Sequence, residues 1–412
     1  MLNATRILNI LCLTCLCDAY SSQHTFRRAP LLRSTNIKQN VISYSHASRA
    51  RAHQLHMSSS DTTTSSIDRT TTTPPPSNTH LSPIQSPFAS QVEQALLSKF
   101  PASKIERVLQ SWRLLEMDYE HTEFVGSQQS PPIPEDDAET SSCYQHAPSY
   151  VPGLKAVAWW DEVDELAWAQ ALEKSYPAIR EEFLSIMSSP DTLESEGNNI
   201  WAGALSTDAQ SYGEGWKTLV LLNRGQWDDT NAKLFPITSK AIHKSGAPVA
   251  EAFFASMAPQ TSIKPHSDFT NFVLTSHVPL VIPENGNNKC RLSVGDETRQ
   301  WLEGKVILFD TSIYHDAIND SEEMRYILML RVWHPDLTKE EREALQFIYD
   351  CLEIPDLLSA DPGMVFMAQQ RANLMKEFPL KDVGGGFGAN KLGGKKGKGK
   401  NKKKGGGKGF GS

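Results

Sequence analysis

Apolar positions along the chain change period twice. Between residues 92 and 117 they recur at helical spacing, as Leu96–Leu97, Val108–Leu109 and Leu114–Leu115, and Pro101 divides the run into two helices. A second helical stretch is predicted over 161–187, where Leu166, Ala169 and Leu172 and then Ile179, Phe183 and Ile186 share one side. The segment 127–150 between them, rich in Ser, Pro and acidic residues, reads as a linker. From about residue 250 the period shortens to that of strands. AEAFFASMA, NFVLTSHVPLVIP, KCRLSV, KVILFD and RYILMLRVW are short runs rich in β-branched and aromatic residues, separated by turn clusters at 283–288 and 316–321. Helical spacing returns in KEEREALQFIYDCLEI, with Pro335 and Thr338 marking its start. Many short strands without intervening helices predict an antiparallel sandwich or open barrel, a mainly β fold with flanking helices of the α+β class. No internal repeat is present.

Composition separates this body from its ends. Of 412 residues, 39% are apolar, with 9 Trp, 16 Phe and 10 Tyr, enough for a packed core and incompatible with uniform disorder. The net charge of −7 conceals three unlike parts. Residues 1–85 carry +5, residues 384–412 carry nine lysines and no acid, and the body between them is left with −21. Residues 1–20 (MLNATRILNILCLTCLCDAY) have the length of a signal-peptide core, and no run of 18 apolar residues predicts a spanning helix. The Ser-, Thr- and Pro-rich stretch that follows resembles a transit peptide or linker, so 1–88 is read as a targeting presequence for the secretory pathway or a plastid. The tail 384–412 is a low-complexity Lys/Gly segment. It can contact an anionic partner such as RNA, lipid or an acidic protein, or serve as a solubility tail. Residues 89–150 form a helical segment and linker, and 346–383 a C-terminal helical extension.

Within the strand region, His266 and Asp268 are separated by one residue and His315 follows far downstream. In an extended strand, positions i and i+2 face the same side, so both can reach one ion, and a histidine from a distant strand completes one face of an octahedron. Two neutral imidazoles and one carboxylate favour Fe(II) and leave open positions for a bidentate cosubstrate and O2. Arg325, at the head of the apolar strand YILML, is placed to pair with the far carboxylate of a dicarboxylate. A single histidine, such as His266 after Pro265, would be read as a turn residue. The full set in strand context reads as a metal centre. Trp301, Trp333 and Tyr314 are read as core, and His334, before Pro335, as structural.

Residues 151–345 resemble the catalytic domain of the aspartyl/asparaginyl β-hydroxylase family, 2-oxoglutarate- and Fe(II)-dependent dioxygenases. The resemblance rests on Val151-Pro-Gly-Leu-Lys-Ala-Val with Trp159-Trp160, on Ile263-Lys-Pro-His266 with Thr270-Asn271, and on Val281-Ile-Pro283. It continues through Glu303-Gly-Lys-Val306, Phe309-Asp310, His315, Arg325 and Val332-Trp-His-Pro335. It implies a double-stranded β-helix core (jelly-roll, cupin-like) holding Fe(II) and 2-oxoglutarate and consuming O2. Position by position it implies His266 and His315 as iron ligands, Arg325 on the distal carboxylate of 2-oxoglutarate and His277 beside the cosubstrate. Two departures matter. Asp268 stands where the animal hydroxylases have glycine, allowing a full His/Asp/His set. A second cosubstrate arginine falls at Thr275, and a cosubstrate serine falls at Ala255, with Ser256 adjoining it.

The implied reaction is hydroxylation of an unactivated C–H, with a protein Asp or Asn side chain as the favoured acceptor and a small molecule or lipid acyl chain as the alternative. A non-catalytic binding module that has kept the barrel is a further alternative, hinted at by Thr275. Cys143, Cys290 and Cys351, the thiols remaining beyond the presequence, are odd in number and are read as buried apolar residues rather than ligands.

Overall fold

Strands that alternate between two sheets enclose the interior of the molecule. A computed structural model describes residues 84–126, 143–189, 195, 201–203, 211–213, 215–284, 287 and 289–380. Residues 1–83 of the expected targeting presequence and the Lys/Gly tail lie outside the described residues. Two helices open the described chain, α1 (Pro87–Lys99) and α2 (Glu106–Glu116), followed by a hairpin of β1 (His121–Phe124) and β2 (Tyr144–Ala147). Helix α3 (Ala167–Met187) precedes β3 (Ala202–Gly203), β4 (Trp216–Asn223) and β5 (Gln226–Trp227). Two short helices, α4 (Asp229–Leu234) and α5 (Pro236–Ser245), lead into the barrel strands. These are β6 (Val249–Met257), β7 (Thr261–His266), β8 (Val273–Val281), β9 (Cys290–Val294), β10 (Glu297–Gln300), β11 (Ile307–Phe309), β12 (His315–Asn319) and β13 (Arg325–Trp333). Helices α6 (Lys339–Glu353) and α7 (Pro362–Lys376) follow.

The large sheet runs β11-β8-β13-β6-β4-β3 and the small one β10-β9-β12-β7, with antiparallel pairing throughout. Successive strands mostly cross from one sheet to the other: β6 is in the large sheet, β7 in the small, β8 back in the large. That is the jelly-roll or double-stranded β-helix arrangement expected from the sequence. Alternation along each strand then divides the side chains. Ala252, Phe254, Leu274, Val278, Leu328 and Leu330 pack outward with α3. Phe253, Ala255, Met257, Ile327 and Met329 point inward, against Ile263, Leu292, Val294 and Ala317 of the small sheet.

A helical layer closes one end of the barrel. Leu96, Val108, Trp112, Ala344, Phe347 and Ile348 form a core that reaches Phe272 and Trp333. It joins helices from before and after the barrel, and a boundary at residue 345 falls inside α6. A capping box starts α6: the Thr338 side chain accepts from the Glu341 N–H, and Glu341 accepts from the Thr338 N–H. Arg107 grips the same Glu341 through Nε and Nη2 at 2.7 and 2.6 Å.

Three features depart from the sequence expectation. Strand β4 was not anticipated; WKTLVLLN is buried on both faces, shows no alternation and stands apart from the series of turn-bounded runs. The end of the expected linker is β2, a polar strand held by pairing with β1 and by hydrogen bonds to the 312–314 segment. Helix α3 starts at Ala167 after a 3-10 turn over Asp161–Glu165, and it continues through Pro177.

Candidate metal and anion site

Strand register builds the site. β7 and β12 are antiparallel, and His266 at the end of one pairs with His315 at the start of the other. Their rings lie 4.3 Å apart. Each imidazole is oriented by a backbone carbonyl: His266 Nδ1 bonds Lys264 O at 2.8 Å and His315 Nδ1 bonds Ile313 O at 3.0 Å. With the proton on Nδ1, Nε2 is left as the lone-pair donor of each ring, the usual tautomer for a metal ligand. The Nε2 of His266 is buried and has no hydrogen-bond partner.

Asp268 reaches the histidines by a route other than a continued strand. β7 ends at His266. The chain then turns, braced by Ser267, whose hydroxyl donates to His146 O at 2.5 Å and accepts from the Phe269 N–H at 3.2 Å. Phe269 takes a left-handed φ of 65°, the kind of strained conformation that surrounding structure must hold in place. The turn brings one donor atom each from His266, Asp268 and His315 within 4.8 Å of one another.

Charge around Asp268 is fixed from the far side. Its Oδ2 pairs with the fully buried Arg331, and its Oδ1 accepts from Tyr212 at 2.9 Å. Burial alone would raise its pKa. Arg331, the two histidines and Tyr212 instead hold the carboxyl down to about 2. Burial, then the neighbouring His266, push His315 down to about 3. At neutral pH His315 is therefore neutral and Asp268 ionised, the states in which each can ligate a metal. Two imidazoles and one carboxylate suit Fe(II), and the orphaned His266 Nε2 is the atom that an ion would satisfy.

Deeper in the barrel lies a cation without a counter-ion. Arg325 is 2% exposed, and its Nε and Nη1 have no hydrogen-bond partner. Its contacts are the sulfur of Met257 at 3.3 Å from Nη2 and the ring of Trp301, 4.5 Å below the guanidinium. Burial lowers its pKa to about 10. The Nε1–H of Trp301 also donates to Nδ1 of His277 at 3.0 Å, which puts the His277 proton on Nε2, buried and unpartnered. Burial, then Arg325, keep His277 neutral. His277 feels the charges of Arg325, His315, Arg331 and Asp268, so it belongs to the same charged interior. Unpaired buried donors are costly, and both Arg325 and His277 keep theirs inside the barrel.

Of the residues singled out from the sequence, His266, Asp268 and His315 come together, and Arg325 and His277 face the same interior. Ser256 does not join them. It shares the outward face with Phe254, and its hydroxyl lies 3.4 Å from Lys217 O. Strand alternation gives the inward position to Ala255. Trp301, expected as plain core, holds both Arg325 and His277. His334 is structural as expected, with Nε2 on Lys155 O and Nδ1 accepting from the Asp336 N–H. Cys290 and Cys351 are buried and all three described cysteines are free. Arg331 and Tyr212 were missed. A charge at the same strand parity as Arg325 within RYILMLRVW was a legible signal for the first, whereas nothing local marks the second.

Fold and site together define a cupin-like double-stranded β-helix protein with a cluster of metal-ligand composition and a buried arginine without a counter-ion among the described residues. Residues 173–335 match the aspartyl/asparaginyl beta-hydroxylase family, so this part of the chain is similar to it. The aspartyl/asparaginyl beta-hydroxylase of Mus musculus is 32% identical over 215 residues, 50% of this chain and 27% of that protein. The ornithine lipid ester-linked acyl 2-hydroxylase of Rhizobium tropici is 30% identical over 184 residues, covering 44% of this chain and 60% of that protein. Aspartate beta-hydroxylase domain-containing protein 2 of Xenopus tropicalis is 28% identical over 208 residues, 53% of its length. The chain thus spans about a quarter to three fifths of these relatives. No helix among the described residues is long and apolar enough to cross a membrane.

Proposed function

We propose that this chain is an Fe(II)- and 2-oxoglutarate-dependent dioxygenase that hydroxylates an unactivated C–H bond. One observation carries the proposal: one barrel holds a His/Asp/His cluster together with a fully buried Arg325 and a neutral His277, both of which keep N–H donors without a partner among the described residues. His266, Asp268 and His315 would hold the iron, and Arg325 the distal carboxylate of 2-oxoglutarate. Iron with bound 2-oxoglutarate and O2 supplies the oxidising power, yielding succinate and CO2 as one oxygen atom passes to the acceptor. The protein's own contribution is positioning and exclusion of water. Trp301 fixes the tautomer of His277 and stacks under Arg325, so both donors are aimed before the ligand arrives. Arg331 and Tyr212 hold Asp268 ionised in a single orientation.

The acceptor we favour is a protein Asp or Asn side chain, the chemistry named by the animal relatives. A lipid acyl chain is a second reading, supported by the larger share of the Rhizobium hydroxylase that the chain matches. The intact metal-ligand set disfavours a purely non-catalytic module. Anaerobic loading with Fe(II) should give a visible absorption band that needs 2-oxoglutarate, and air should release succinate. No band and no succinate with any acceptor would reject the proposal. Comparing peptide and lipid fractions for the gain of one oxygen atom separates the two acceptors.

A further inference from the structure

Arg331 has a bonding capacity that its salt bridge does not use. It is fully buried, and it spends one nitrogen, Nη1, on Asp268. Its Nε and Nη2 have no hydrogen-bond partner. These two nitrogens form the flat edge of the guanidinium that takes a carboxylate two-pronged. Arg107 uses the same edge on Glu341 in the helical layer. In Arg331 that edge is open, in a part of the barrel where an unmade charged hydrogen bond is costly.

Its surroundings narrow the ligand. Arg331 shares the inward face of β13 with Met329 and Arg325, and its cross-strand neighbours are Thr275 on β8 and Glu251 on β6. Thr275 is occupied with Thr311, hydroxyl to hydroxyl at 3.2 Å. Neither carboxylate oxygen of Glu251 makes a hydrogen bond, so Glu251 does not close the open edge. Asp310 is also a charge neighbour, and its carboxylate is held by Ser312 and Gln145. A divalent ion on His266, Asp268 and His315 would add two positive charges beside Arg331, against the single charge of Asp268. The open edge is fork-shaped and adjoins the metal position, with Asp268 and Glu251 as its acidic neighbours.

We infer that the Nε–Nη2 edge of Arg331 binds the carboxylate adjoining the keto group of the cosubstrate, as Arg325 binds the distant one. This rests on the 2-oxoglutarate reading and extends it. Two arginines of one strand then hold the two ends of one dicarboxylate, and the residue that steadies Asp268 also reads the ligand's head group.

The test uses the whole protein with Mn(II), which permits binding without turnover, and measures affinity for 2-oxoglutarate and for 2-oxovalerate, which lacks the distant carboxylate. Arg331→Lys keeps a charge for Asp268 but cannot offer a two-pronged edge. We expect it to weaken both ligands by a similar factor of about 10 to 100, the loss of one or two charge-assisted hydrogen bonds. Arg325→Lys should weaken 2-oxoglutarate by a comparable factor and leave 2-oxovalerate within about twofold. Unchanged affinity in Arg331→Lys, or a loss confined to 2-oxoglutarate, overturns the inference. Mn(II) affinity, followed by electron paramagnetic resonance, is the control. If Arg331→Lys loses the metal, a crystal structure of the unaltered protein with Mn(II) and 2-oxoglutarate decides: a carboxylate on Nε and Nη2 supports the assignment, and a head group held elsewhere refutes it. Failure of the unaltered protein to bind either 2-oxo acid would instead reject the cosubstrate reading itself.

Discussion

The helical layer and the barrel interior treat charge in opposite ways. In the layer, the guanidinium edge of Arg107 is matched by both oxygens of Glu341, Glu341 also completes the α6 capping box, and the indole N–H of Trp112 donates to Ala89 O at 2.9 Å. In the barrel, Arg325 and His277 keep buried donors with nothing to donate to. Both regions fold from one chain under the same rules, so the difference reports purpose. Where polar groups are paired internally they stabilise. Arg325 and His277 are left unpaired at a cost of order 1–3 kcal/mol each, and a ligand would supply the missing partner. The pair Arg331–Asp268 lies between the extremes: one bond made, one edge open.

The sharpest way to break this comparison is at the metal cluster. His315→Ala should reduce Fe(II)-dependent succinate release to the metal-free background, while thermal unfolding shifts by only a few degrees. Retained turnover would remove His315 from the ligand set. Next comes Arg325→Met, which should weaken 2-oxoglutarate by about 100-fold, since truncating one partner of a buried charge pair costs roughly 2–5 kcal/mol. The same substitution should leave the ligand-free protein as stable as before or raise its stability by about 1 kcal/mol, because an unpaired buried charge is removed. Loss of stability without ligand would mean that Arg325 is a structural residue like Arg107. Arg107→Ala supplies the converse. It should lower stability by about 1–2 kcal/mol in denaturant titrations, as expected for a two-pronged, partly exposed ion pair, and leave 2-oxoglutarate affinity unchanged.

The smallest effect concerns pH. Burial raises the Asp310 carboxyl to about 7 against the lowering influence of Ser312, Gln145 and Arg331. A raised folded-state pKa means that the native protein binds the proton more tightly. Its contribution is complete below the unfolded value near 4 and is lost as pH climbs through about 7. Asp310→Asn should flatten that part of the stability–pH curve, whose slope for one proton is at most ~1.4 kcal/mol per pH unit. An unaltered slope would show that Asp310 is ionised throughout.

Much of this was readable from residue order. The short runs after residue 250 marked most of the barrel strands through β-branched and aromatic residues bounded by Asn, Gly or Pro, even where the strand is buried on both faces, as in β6, β8 and β13. Strand β4 is as buried as these and shows no alternation, but it stands apart from the series of turn-bounded runs and was not marked. His266, Asp268 and His315 were legible as residue types with a spacing, and Arg325 as a charge heading an apolar run.

The sequence by itself determined the inventory: which ligand atoms exist, which strand carries the arginines, and that the body is acidic between basic ends. Only the tertiary structure decided which inventory members meet. Antiparallel register set His266 against His315, the Ser267-braced turn swung Asp268 into reach, and alternation sent Ser256 outward while keeping Arg331 in. These outcomes depend on pairings between residues far apart in the chain, and a one-residue slip in any of them would reverse a face. Pairing energy is collected only on folding, so no local pattern records it.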